Sequence, residues 1–146
     1  MIFTIKRFNE LSIQELYVIL QLRSEVFVVE QDCVYQDLDN KDLDAYHVLG
    51  ILDKEIVAYA RIFKPGDYIL ESSIGRIVVK KEFRKVQYGY KLVVNSIQFI
   101  ENNFQQNTIL ISAQLYLTKF YNSLGFIRVG EEYLEDGIPH IKMLKT

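Results

Sequence analysis

Ile74-Gly75-Arg76-Ile77-Val78-Val79-Lys80-Lys81-Glu82-Phe83-Arg84-Lys85-Val86-Gln87-Tyr88-Gly89-Tyr90-Lys91-Leu92-Val93 is the stretch on which the fold turns. Its first part is short, apolar and β-branched, so Ser73 to Val79 predicts a buried strand. The polar loop Lys80 to Gln87 follows, and Leu92, Val93, Ile97 and Ile100 then recur at helical spacing. The stretch is a strand-loop-helix unit.

Toward the N-terminus, Tyr46 to Leu52 and Glu55 to Phe63 read as strands flanking Asp53-Lys54, a two-residue connection that predicts a hairpin. Pro65-Gly66 ends the second run. Ile2 to Phe8 alternates apolar and polar residues, the period of a half-buried strand. Ser12 followed by Glu15 matches a capping box, and Leu16, Ile19, Leu20, Val26 and Phe27 continue at helical spacing, predicting a helix from Ile13 to Val28. Glu30 to Asp44 is acidic and lacks apolar periodicity, so it reads as an exposed loop with room for a short helix.

Toward the C-terminus, Thr108 to Ser112 predicts a second buried strand and Leu117 to Leu124 a short helix stopped by Gly125. Arg128 to Leu134 and His140 to Leu144 form a closing pair around the turn signal Asp136-Gly137. The order β, α, three β, α, β, α, β, β predicts an α/β fold of the α+β kind: a mixed, mostly antiparallel central sheet with helices on both faces. No repeats or linkers interrupt it, and 146 residues leave room for one domain, 1–146.

A net charge of -2 provides no basic field to concentrate nucleic acid or an anionic membrane, so neither partner is expected. Every hydrophobic stretch is interrupted by charge well short of the roughly 20 residues a bilayer needs. The lone Cys33 closes no intrachain disulfide, and Met1 to Lys6 lacks the layout of a secretion signal, so a cytoplasmic location is expected.

Arg84-Lys85-Val86-Gln87-Tyr88-Gly89, preceded by Ile74 to Val79, resembles the signature of the GNAT superfamily, Arg/Gln-x-x-Gly-x-Gly/Ala. Phe120-Tyr121-Asn122-Ser123-Leu124-Gly125-Phe126 is similar to a second GNAT signature, in which a tyrosine on a short helix faces the CoA sulfur. Leu22-Arg23 to Gln31, Ser112-Ala113-Gln114 and Glu135 to His140 resemble the ElaA-type branch, and together the matches span nearly the whole chain. One residue departs from the pattern: Gln87 stands where the first glycine is usual, so it must tolerate a glycine backbone or reshape the loop.

The resemblance implies a GNAT acyl-CoA N-acyltransferase fold and transfer of acetyl from acetyl-CoA to a primary amine by direct attack through a tetrahedral intermediate. In such a fold the N–H groups and positive dipole end of the helix after the signature cradle the CoA pyrophosphate, which assigns cofactor binding to Arg84, Lys85, Val86, Gln87, Tyr88, Gly89 and Tyr90. Pantetheine would add as a strand along Ile77, Val78 and Val79, whose N–H groups would polarise the thioester carbonyl. Gln114 and Tyr121 complete the implied site. Tyr121 is the expected general acid, because a phenol of ordinary pKa about 10 stays protonated at neutral pH.

GNAT enzymes vary in their base, so the resemblance fixes none; Glu30, His140 and His47 are the candidates. Asp37, Asp39, Asp42 and Asp44, with Glu30, are expected to attract a cationic amine or to form a solvated acidic loop. They do not form a calcium loop: counting from Asp37, position five is Lys41, position six is Asp42 and position twelve is Val48. No metal site is expected. Cys33 has no base beside it in sequence and reads as structural.

Two other functions are consistent with these residues. One is an acyl-homoserine-lactone-synthase-like acyltransferase, in which Lys80, Lys81, Arg84 and Lys85 meet an acidic carrier protein. The other is a non-catalytic acyl-CoA-binding domain, motivated by Gln87. The acceptor is expected to be a small-molecule or peptide amine. Tyr35, Tyr46 and Tyr68, read as exposed, either form a homodimer interface or cover the surface.

Overall fold

Residues Val57 to Phe63 are buried without a break, although period-two alternation would bury only every second one. The computed structural model, which describes residues Met1 to Thr146, shows why. These residues form most of β3 (Glu55–Phe63), which lies between β2 (Tyr46–Leu52) and β4 (Ser73–Val79) in an antiparallel sheet ordered β1-β2-β3-β4, with β1 spanning Ile2–Arg7. Helices cover both faces.

On one face, Val48, Ala58, Ala60, Ile62 and Ile74 pack against Leu92, Val93, Ile97 and Ile100 of α2 (Tyr88–Asn103). On the other, Leu49, Tyr59 and Val78 pack against Ile19 and Leu22 of α1 (Ile13–Arg23) and against Val26 beyond it. Each of the larger apolar side chains among these contributes about 1.5–3 kcal/mol by leaving water, which outweighs local propensity in fixing these elements. The hairpin predicted at Asp53-Lys54 is present, both residues taking positive φ (48° and 68°) as a type I′ turn requires.

The predicted helix Ile13–Val28 divides in two. Regular α-winding ends at Arg23, and Ser24–Glu30 continues with π-type spacing, closed by Gln31 N–H donating to Val26 O and Cys33 N–H to Val28 O. The wider winding breaks the 3.6-residue period and leaves Val29 exposed.

The remaining strands form their own sheet, ordered β5-β7-β6: β5 (Ile109–Gln114), β6 (Ile127–Glu135) and β7 (Ile138–Lys145), all antiparallel. The expected central sheet is therefore two antiparallel sheets. Their junction is a parallel bridge between Ser72 and Ile109, where Leu110 N–H donates to Ser72 O at 2.9 Å. Past that bridge β4 and β5 share no ladder.

α3 (Thr118–Asn122), shorter than the predicted Leu117–Leu124, follows a 3₁₀ turn at Leu115–Leu117. The turn after it closes at Gly125, whose φ of 90° lets Phe126 N–H reach back to Tyr121 O. Two of the tyrosines expected at the surface are half-buried. Tyr46 packs between Phe99 and Phe104, and Tyr35 donates to Asp37; only Tyr68 is exposed. No helix is long and apolar enough to cross a membrane.

Candidate active site

A cleft of about 1540 Å³ opens where β4 and β5 separate. Its origin lies in β4. Tyr59 pairs with Val78 and Arg61 with Gly75, so Arg76 and Ile77 together face only Ala60, a β-bulge that bends the strand. Arg76 carries the bulge with φ at 50°, the left-handed region that costs an ordinary residue about 1–2 kcal/mol. From Ser73 onward the outer edge of β4 has no partner strand, and Ile77, Val78 and Val79 line the cleft.

At one end of the cleft stands the N-terminus of α2. Its cap residue is Gln87, whose φ of 62° is the left-handed conformation that the usual glycine adopts freely. The glutamine therefore keeps the backbone and bears the strain; Lys85 does the same with φ at 71°. Gln87 makes no side-chain cap, and the N–H groups of Tyr88, Gly89 and Tyr90 have no acceptor within the protein. A Cβ at Gly89 would sit 3.7 Å from Val79 and 3.9 Å from Phe120, ordinary contact, so packing alone does not require glycine there. Arg84 fastens the loop, donating from Nε to Val79 O at 2.9 Å and from Nη1 to Glu30 Oε2 at 2.8 Å.

The cleft is lined by Lys85, Gln87, Tyr88, Gly89 and Tyr90. Val86 lies outside it and is exposed. Gln114, at the end of β5, also lines the cleft, its amide 3.4 Å from the Gln31 side chain.

Tyr121 is buried on α3, wedged edge-on between Phe120 and Phe126. The ring is packed away while the hydroxyl, which takes no partner within the protein, is left accessible where Tyr121 lines the cleft. Burial, with a contribution from Tyr116, pushes its pKa well up, so it remains a neutral donor.

The three base candidates separate. His47 is buried away from the cleft, Nε2–H donating to Asp42 O at 2.8 Å and Nδ1 accepting from the Tyr59 hydroxyl at 2.7 Å. Desolvation lowers its pKa and keeps it neutral, a structural role. Glu30 lines the cleft but is held by Arg84. His140 also lines it, its Nδ1–H donating to Ile138 O at 2.6 Å, while Nε2 lies 3.2 Å from Glu135. Its ring stacks on Tyr133, whose hydroxyl meets Ser112 Oγ. Cys33 donates from Sγ to Asp136 O, tying its loop to the turn between β6 and β7.

Three aspartates of the acidic loop depart from both of its expected roles. Asp37, Asp39 and Asp42 are neither a solvated surface nor free to attract an amine, because they are locked in ion pairs with Arg23, Arg61 and Arg76. Arg23 is fully buried and bridges Asp37 and Asp42 at 2.9 and 2.8 Å; Arg61 joins Asp39 and Asp42 at 2.6 and 2.9 Å. Burial alone would raise the pKa values of Asp39 and Asp42, but Arg61 on the first and Arg23 with Arg61 on the second outweigh it and hold them down. Asp44 stays exposed outside this network.

Arg23 and Arg76 lie in stretches that carry the resemblance, but neither they nor Arg61 were matched with the aspartates from the sequence. For Arg23 a signal existed: it sits four residues after Ile19 and three before Val26, on the buried side of the helix.

Residues 9–146 match the acetyltransferase (GNAT) domain family. Protein ElaA of Escherichia coli is 45% identical over 139 residues, covering 94% of this chain and 91% of that protein. The crystal structure of ElaA superposes with a TM-score of 0.91, and that of an acyl-CoA N-acyltransferase from Pseudomonas aeruginosa with 0.93 at 38% identity; each covers both chains in full. An aminoglycoside 6′-N-acetyltransferase solved with coenzyme A shares the fold at 17% identity, with a TM-score of 0.71 over 99% of this chain and 96% of its own. With the family model spanning residues 9–146 and a relative 45% identical over 94% of the chain, the chain belongs to the GNAT acetyltransferase family of acyltransferases.

Proposed function

We propose that the chain transfers acetyl from acetyl-CoA to the primary amine of a small molecule or peptide, by direct attack and without an acyl-enzyme. One observation carries this reading: a single cleft runs from the unpaired N–H groups of α2 past the free edge of β4 to the partnerless hydroxyl of Tyr121. The residues present fit the donor substrate. The uncapped helix end suits a pyrophosphate, and the β4 edge suits an extended amide chain such as pantetheine.

Acetyl-CoA supplies an activated thioester. The chain's part is positional and electrostatic. N–H groups along Ile77 to Val79 stabilise negative charge on the carbonyl oxygen as the amine adds. Tyr121, the neutral phenol on the cleft wall, donates to the departing sulfur and is restored by the proton that the amine releases, so that the amide and the free CoA thiol leave. His140 accepts the amine proton at Nε2, since its Nδ1–H is committed to Ile138 O, and Glu135 then stabilises the resulting imidazolium. Glu30 instead holds Arg84.

Tyr121→Phe tests this assignment, because it keeps the ring against Phe120 and Phe126 and removes only the hydroxyl. kcat should fall about a hundredfold to ten-thousandfold with melting temperature preserved, since the hydroxyl holds nothing else in the protein. A Phe variant turning over at the parental rate would show that the phenol is only packing.

A further inference from the structure

We propose that Arg76 is a positioning residue for acyl transfer. Its side chain, clamped by Asp37, holds the β4 bulge in the conformation that aims the following peptide groups, Ile77 to Val79, into the cleft. The inference rests on the acetyl-transfer reading above.

Arg76 is the one non-glycine residue inside a strand that takes positive φ; the others lie in turns and loops. Its predecessor is Gly75, which would accept that conformation freely, yet Gly75 does not adopt it. The bulge therefore places its left-handed position on a residue that resists it. A long side chain there is useful only for what its far end does.

That far end is fixed at two points. Arg76 Nε donates to Asp37 Oδ1 at 2.8 Å and Nη2 to Asp37 O at 2.9 Å, so the guanidinium grips one residue through both side chain and backbone. Asp37 is itself held by other groups. Its Oδ2 accepts from Arg23 Nε at 2.9 Å and its Oδ1 from the Tyr35 hydroxyl at 3.0 Å. Fully buried Arg23 belongs to α1, so the chain of contacts runs from the helix core through Asp37 to the bulge.

Neutralising charge does not explain Arg76. Without it, Asp37 still pairs with Arg23, and Asp39 with Arg61 at 2.6 Å against a looser 3.5 Å to Arg76. Arg76 is also the most exposed of the three arginines, its side chain 23% accessible at the cleft wall. Its loss leaves the buried carboxylates paired and frees the peptide groups beside the reacting carbonyl.

Arg76→Gly is the decisive variant, because glycine adopts the left-handed backbone without strain while the clamp is removed. kcat for the best amine should drop about tenfold to hundredfold, the penalty for displacing a reacting group by roughly 1 Å. KM for acetyl-CoA should stay within about threefold and the melting temperature near the parental one, a split that lost packing would not produce. Arg76→Lys, which keeps the charge but not the fork, should fall between the two, and it carries the same test if the glycine variant does not fold. Parental kcat in the variant that folds, or a loss confined to KM, overturns the proposal. A parent enzyme that acetylates no amine contradicts the acetyl-transfer reading itself, before any variant is compared.

Discussion

The N-termini of α1 and α2 are built differently. At α1, Ser12 Oγ accepts from Glu15 N–H at 3.0 Å while Glu15 accepts from Ser12 N–H at 2.9 Å, a complete capping box. At α2 the cap position holds Gln87 in a strained left-handed backbone, no side chain caps the turn, and three N–H groups stay open to the cleft. The charged groups divide the same way. Arg23, Arg61 and Arg76 meet Asp37, Asp39 and Asp42 within the protein, whereas Lys85 and the start of α2 face the cleft with no carboxylate bound to them. The paired groups hold the framework, the bulge of β4 included, and the unpaired ones are where the proposed donor would bind.

Breaking the closed side should cost stability and spare the donor. Arg23→Ala leaves two buried carboxylates short of a partner and should destabilise by about 3–5 kcal/mol, read from the urea midpoint, with acetyl-CoA affinity unchanged in the folded fraction. Affinity falling together with stability would mean that the network reaches the donor site. Closing the open side should do the reverse. Tyr90→Glu puts a negative charge in the first turn of α2, which should add about 0.3–1 kcal/mol of stability while weakening acetyl-CoA binding about tenfold or more, as calorimetry reads it. Binding at the parental strength would move the phosphates elsewhere. Ser12→Ala, the smallest of the three, should cost about 1 kcal/mol in thermal unfolding and leave kinetics untouched.

Much of this contrast was legible in the sequence. The bounds of β2, β3 and β4 follow from apolar runs and the turns between them, because burial on both faces leaves few alternatives. The capping box at Ser12 and the basic loop before α2 are local signals, and local signals survive folding. The ion-pair network was not legible, since its partners stand 14 to 39 residues apart and only the folded chain brings them together. A run of aspartates reads as solvated until three arginines from α1, β3 and β4 are seen to converge on it. His47 misled for the same reason: its place beside Tyr59 and Asp42 O is a property of the packed sheet. The π-winding of Ser24–Glu30 was hidden because valines and phenylalanine satisfy the ordinary helical period equally well.

The central claim is that the open N-terminus of α2 and the free edge of β4 form an acetyl-CoA site despite Gln87. Calorimetric titration of the intact chain with acetyl-CoA tests it most directly. Because Gln87 already holds the backbone of the missing glycine, the account predicts saturable binding with a Kd between micromolar and near-millimolar. No heat and no saturation at millimolar acetyl-CoA would contradict it.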